Sequence, residues 1–344
     1  MIKNKFKILA IDGGGIKGVF PALYLSLIEE ELKDRPDGKT QIKDHFHLIT
    51  GTSTGGIIAL ALSLGIPAKD IYDIYIDNAD KIFRKRSFCN KILGIFRPFH
   101  SNKYLEKIIK EKFRESFDGL EPDPRLKDCK TDVAIPIYDL IKGNPSVLKS
   151  PYHPNFTRDF HIPAYKVAMA TSAAPTFFLP YSSDYTDLKG FKKGFNNKID
   201  GGVMANNPTL VGILEAIKAF NRKLEDLEIL SIGTGYKKFN EGKPKKSNWG
   251  LFYWVNHKRQ RLIELFMQSQ SQLVENYISL LYQGIDKTEK DDTNFTYDRV
   301  NIELSDDNYI EMDENDSKKI KNFAELANAE FYENKTHIFE THFY

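Results

Sequence analysis

The chain has 344 residues, enough for one large domain or two ordinary ones, and its 41% hydrophobic and 28% charged residues are those of a globular protein. Its 49 basic and 47 acidic residues leave a formal charge of +2, so no overall cationic field draws in phosphate backbones, and a generic nucleic-acid partner is excluded. Two cysteines, Cys89 and Cys129, are too few for a disulfide framework, have no C-x-x-C spacing, and read as free thiols of a cytoplasmic protein.

Lys5 to Ile11 reads as a buried strand, too short for a secretion signal and running straight into "IDGGGIKG". Gly13, Gly15 and Gly18 satisfy G-x-G-x-x-G, and a helix beginning near Val19 would aim backbone N–H groups at an anion. Two readings stay open here. The loop either cradles a dinucleotide pyrophosphate or holds a charge that exists only during a reaction.

The helix continues to about Lys33 with Leu23, Leu27 and Ile28 on one stripe, and Arg35 to Gly38 is a turn. Phe46 to Thr50 is a second strand, followed by "GTSTGG" and a helix from Gly55 to Leu64. Pro67 opens a helix to about Phe83. The longest apolar region, Ile57 to Ala68, is interrupted by Ser63, Gly65 and Pro67 and is too short to span a bilayer.

From Lys81 to Leu105 there are seven basic residues, Lys81, Arg84, Lys85, Arg86, Lys91, Arg97 and Lys103, with large apolar residues between them and no acid before Leu105. Such a segment suits peripheral contact with an anionic membrane surface, or a lid with a solvated basic face. Ser101 caps a helix to about Glu115. Thr131 to Tyr138 and Ser146 to Lys149 read as strands, and Pro163 to Ser172 as a helix. Asn196 to Asp200 leads into "DGG", Asn207-Pro208 starts a helix to about Phe220, and Leu227 to Ile232 is a strand ending in "GTG". Strand and helix alternate, which predicts a three-layer α/β fold with a mostly parallel central sheet. Beyond this come a basic loop, Lys237 to Lys246, helical stretches within Leu251 to Leu281, the strand-like "YDRVNIEL", and a helix from Asp316 to Glu333.

Gly51-Thr52-Ser53-Thr54-Gly55 is G-x-S-x-G between a strand and a helix, the context of a nucleophile elbow. The turn pushes Ser53 out of the sheet, Gly51 and Gly55 relieve backbone crowding, and the helix N-terminus favours negative charge beside the hydroxyl. A serine nucleophile needs a base. His337 and His342 lie in the polar tail "ENKTHIFETHFY" and read as surface residues, while His45 and His47 flank a strand. Asp200, held by Gly201 and Gly202, offers another solution. A carboxylate of pKa about 4 is a poor base in water, and burial raises that value into a useful range.

"DGGGIKG", "GTSTGG", "ATSAAPTFF" and "IDGGVMANNP", in that order between Phe6 and Gly235, resemble the patatin-like phospholipases. The resemblance implies a three-layer α/β/α fold and a Ser–Asp dyad that cleaves acyl esters of membrane glycerophospholipids. Ser53 would be the nucleophile and Asp200 the base, with Gly13, Gly14 and Gly15 forming the oxyanion hole and Lys17, Gly51 and Gly55 supporting them. No metal-ligand cluster is visible in the sequence, so no metal and no cofactor are expected. The dinucleotide reading recedes, because "SLIEEELK", where a ribose-binding acid would end a second strand, still belongs to the first helix.

The arrangement is also similar to bacterial patatin effectors that a cyclic nucleotide switches on in antiphage defence, and to housekeeping bacterial hydrolases and acyltransferases without such control. Residues 1–236 are expected to form the catalytic domain. Residues 237–344 would be a helical extension packed on it with a regulatory role, and oligomerisation is expected to accompany activation.

Overall fold

Alternate residues of the first strand, β1 (Phe6–Ile11), feed two different cores in the computed structural model, which describes residues 5–83, 100–119, 123–238, 251–254, 261–284 and 295–344. Leu9 and Ile11 enter one core, Phe6 and Ile8 the other. A strand buried on both faces reads as a continuous apolar run. The strands β2 (Leu48–Gly51), β3 (Asp132–Asp139), β7 (Leu227–Ile232) and β8 (Thr296–Val300) extend the parallel sheet around β1. Three antiparallel strands complete it: β4 (Asn144–Lys149), β5 (Tyr181–Thr186) and β6 (Lys192–Asp200). Among the described residues the order is β5–β6–β3–β2–β1–β7–β8, with β4 beside β3.

The helices α1 (Val19–Leu32), α2 (Thr54–Leu64), α3 (Ala68–Ile82), α4 (Asn102–Glu115) and α5 (Ala164–Thr171) contribute to the larger core. After the short α6 (Gly202–Ala205), α7 (Thr209–Ala219) covers the other face with Ile213 and Ala216. The single-turn α8 (Leu251–Trp254) precedes α9 (Arg261–Gly284), which adds Ile278 to that second core. Helices therefore cover both faces of a mostly parallel sheet, as expected. No helix of the described residues is long and apolar enough to cross a membrane.

The C-terminal residues build structure at both levels. β8 pairs with β7, and the helices α10 (Ser317–Ala324) and α11 (Leu326–His342) pack on α1, where Phe331 meets Tyr24 edge-on at 5.6 Å. The helix read from Asp316 to Glu333 is two helices, β6 starts at Lys192 rather than Asn196, and β8 ends at Val300 within the strand-like run. Two further differences concern β5 and the last helix. β5 was unexpected because Ser182, Ser183 and Asp184 give it no apolar signal. It is an edge strand held by its ladder to β6. The last helix runs beyond Glu333 to His342 because Ile338 and Phe339 bury against the core.

His342 is consequently not a surface residue but fully buried. Its Nδ1 lies 3.1 Å from Glu228 Oε1 and its Nε2 2.9 Å from Asp298 Oδ2. Burial alone would lower its pKa, but the two carboxylates outweigh burial and raise it above 6.5. His337 stays at the surface, 2.8 Å from Asp298 Oδ1. The cluster involves Glu228 near the start of β7 and Lys7 near the start of β1, at the opposite end of the strands from the glycine turns. Neither histidine is placed to serve Ser53.

Replacing His342 by Gln removes the buried cation between the two carboxylates, leaving Glu228 with Lys7 and Asp298 with the exposed His337, and is expected to cost about 3 kcal/mol. A raised folded pKa gives stability that is fully present below the unfolded value and lost as pH rises through the folded one. Thermal melts should show the deficit largest below about pH 6.5 and shrinking as pH rises above that value.

Candidate active site

β2 ends at Gly51, and the chain turns sharply into α2. Ser53 sits on this turn with φ 55° and ψ −124°, a backbone state that costs a non-glycine residue about 1–3 kcal/mol. The surroundings hold it there. Ser53 N–H donates to Thr171 Oγ1 at 3.1 Å, and that hydroxyl donates to the Pro136 carbonyl at 2.7 Å. The flanking glycines answer to space. A Cβ on Gly51 would lie 2.1 Å from the Gly55 carbonyl oxygen, and one on Gly55 would lie 2.3 Å from that of Ile11. Helix α2 begins at the next residue, so the Ser53 hydroxyl faces the positive end of a helix dipole.

Asp200 ends β6 opposite Ile137 of β3 and is 3% exposed. Its Oδ1 accepts the Gly202 N–H at 2.6 Å, and its carboxylate hydrogen-bonds the Ser53 side chain. Burial pushes the carboxyl up to about 7, against the lowering effect of both bonds. A carboxyl of that pKa is matched to proton transfer near neutral pH.

The glycine loop leaves β1 beside this pair. A Cβ on Gly13 would sit 3.2 Å from Ser53 Cβ, and Gly15 lines the same cavity as Ser53 and Asp200. Gly13 N–H donates to the Asn206 carbonyl at 3.0 Å. Among the described residues, the N–H groups of Gly14 and Gly15 carry no hydrogen bond. Three expected donors thus become two available ones. The engaged donor ties the loop to the turn after "DGG", a contact no local pattern announces.

Lys17 is buried, with its ammonium 5.5 Å from the Tyr309 ring centroid. Burial lowers its pKa, while the carboxylates of Glu264 and Glu311 act in the opposite sense.

A cavity of about 420 Å³ opens from Ser53 and Asp200, walled by Ile57, Phe83, Leu105, Phe177, Phe266 and Met267. Its lining is predominantly apolar and suits an acyl chain. Cys129 takes no part: burial pushes its thiol up to about 12, which keeps it protonated. Thr171 was missed as a site residue, although it lies in the quoted "ATSAAPTFF" run. Most of the basic segment after Lys81, residues 84–99, and of the basic loop, residues 239–246, lies outside the described residues. Lys237 and Lys238 are described, and they pair with Asp306 and Glu303.

The patatin-like phospholipase profile matches residues 9–213. Patatin-like protein 2 of Arabidopsis thaliana is 32% identical over 311 residues, covering 82% of this chain and 73% of that protein. A cGAMP-activated phospholipase of Escherichia coli is 31% identical over 351 residues, covering 97% of this chain and 92% of that protein. A cGAMP-activated phospholipase of Vibrio cholerae is 33% identical over 247 residues, covering 68% and 65% respectively. A strained serine, a buried aspartate, a glycine loop and an acyl-sized cavity stand where this family's motifs fall, and the profile spans more than half of the sequence: the chain belongs to the patatin-like phospholipase family.

Proposed function

We propose that this lipid acyl hydrolase is of the phospholipase A type. In this reading it cleaves carboxylic esters of membrane glycerophospholipids with Ser53 and Asp200, and a cyclic nucleotide controls it. The observation that carries the reading is the Ser53 side chain bonded to a buried Asp200 whose carboxyl is held at about 7, beside an apolar cavity.

Ser53 Oγ attacks the ester carbonyl as Asp200 takes its proton. The tetrahedral oxyanion is assigned to the N–H groups of Gly14 and Gly15, each worth about 3 kcal/mol. Asp200 then returns the proton to the departing lysolipid oxygen, which leaves an acyl-Ser53. Water enters and gives a proton to Asp200 as its oxygen attacks the acyl carbon. Asp200 then passes that proton to Ser53 Oγ as the acyl–oxygen bond breaks, which releases the fatty acid and restores free Ser53 and ionised Asp200.

The two relatives named as cGAMP-activated support nucleotide control. Control suits the chemistry, since a membrane-lipid hydrolase that is always active would damage the cell that makes it. It also suits a role in antiviral defence. Peripheral contact with a phospholipid bilayer, assembly on activation and a regulatory role for residues 237–344 belong to the same proposal.

The test is fatty-acid release from glycerophospholipid vesicles with and without a panel of cyclic di- and trinucleotides. Release that depends on one nucleotide is the expected result. Full release with no nucleotide would remove the control and leave the hydrolase. No release under any condition, together with no cleavage of soluble esters, would overturn the hydrolase reading itself.

A further inference from the structure

The glycine loop is fastened mostly by residues beyond the stretch that the family profile matches, 9–213. Asp12 N–H donates to Ile232 O at 3.0 Å, Ile16 N–H to Met312 O at 2.9 Å, and Thr234 Oγ1 to Gly13 O at 2.9 Å. The strongest fastening is ionic. Arg299, the next-to-last residue of β8, sends Nη1 to Asp12 Oδ1 at 2.9 Å and Nη2 to Asp12 Oδ2 at 2.6 Å. The same guanidinium donates to Ser231 Oγ at 2.8 Å and, through Nε, to Glu275 Oε1 of α9 at 3.0 Å. The side chains of Arg299 and Asp12 are 11% and 5% exposed.

We infer that Arg299 is a positioning residue for the oxyanion hole, acting through Asp12. The inference rests on the Ser53–Asp200 reading above. A fork of two parallel bonds fixes the plane of the Asp12 carboxylate as well as its distance, which a single ammonium cannot do. Asp12 immediately precedes the three glycines. Fixing its side chain and its N–H together sets the direction in which the Gly14 and Gly15 N–H groups point. Such donors act only when aimed at the place where charge develops, and losing one costs about 10²–10³ in rate. Arg299 is not among the residues that line the apolar cavity. The effect therefore belongs in kcat rather than in KM.

The fork also joins three elements that sequence separates. Through Glu275 it reaches α9, which lines the acyl cavity with Phe266 and Met267. The C-terminal residues thus complete the catalytic apparatus as well as the sheet.

The experiment uses the full chain, with and without cGAMP, and a soluble short-chain ester as substrate. Arg299→Ala is expected to lower kcat about 10²-fold with KM within about threefold, and guanidinium ion added at concentrations far below denaturing is expected to restore at least about a tenth of the loss. Arg299→Lys keeps one charge in the same place and is expected to melt near wild type, yet to lose about tenfold in kcat, which keeps the test open if the alanine variant does not fold. A kcat within about twofold of wild type in either folded variant overturns the inference. So does a loss confined to KM, or a folded alanine variant that guanidinium does not rescue. Ser53→Ala, run alongside, separates this from the underlying reading. If it retained ester cleavage, the site assignment would fail whatever Arg299 does.

Discussion

Ser53→Ala is expected to abolish lipid hydrolysis, a fall of about 10⁴-fold or more, while the protein still melts as a folded chain. The size follows from chemistry that no neighbour can replace. Ser53 is the hydroxyl on the strained turn, bonded to Asp200 and set at the N-terminus of α2. Thr54 Oγ1 and Thr52 Oγ1 are already engaged, with Tyr75 and with the Ala205 carbonyl. Removing the hydroxyl also relieves Asp200 of a bond without disturbing the turn. Labelling by a serine-directed fluorophosphonate should vanish in the variant. Persistent labelling and turnover would mean that another nucleophile does the work.

Asp200→Asn is expected to lower kcat/KM about 10²–10⁴-fold, because the amide keeps the shape but cannot take a proton. The wild-type enzyme supplies a second reading of the same group. With the Asp200 carboxyl at about 7, only its ionised form acts as base. Activity should therefore rise with pH below about 7 and level off above it. A profile flat from about pH 5 to 9, or an amide variant that keeps its rate, would point to a different base.

Asp200 also carries a stability consequence of opposite sense to the usual carboxylate. Its folded pKa, about 7, lies above the ordinary 3.8. Between those values the folded chain holds a proton that the unfolded chain has released, so stability falls as pH rises, by up to about 1.4 kcal/mol per pH unit. Asp200→Asn removes that penalty. The inactive variant should melt above wild type at pH 8 or so and lose this advantage near pH 4.

The layered fold was legible along the chain because β1, β2 and β7 are short apolar runs that end in glycine turns. β7, Leu227–Ile232, falls where its pattern places it. The edge strand β5 was not legible, since a half-exposed polar strand takes its conformation from its partner β6. The final helix was read too short, and His342 with it, because tail residues are polar by composition and buried only by packing on α1 and β7.

The same division runs through the active site. Ser53 and its glycines stand out because a nucleophile elbow is made by five adjacent residues whose backbone must bend there, whereas Asp200 stands out only beside the other motifs, since an Asp-Gly-Gly turn by itself is common. Which loop N–H groups remain open, how far burial moves the aspartate, and what holds the loop at all depend on groups distant in sequence. Asn206 engages Gly13, and Arg299 reaches Asp12 across 287 residues. A hydrogen bond between such partners leaves no spacing to read, because neither residue has a local reason to be what it is. It exists only once β8 lies beside β7 and the glycine loop closes over the sheet.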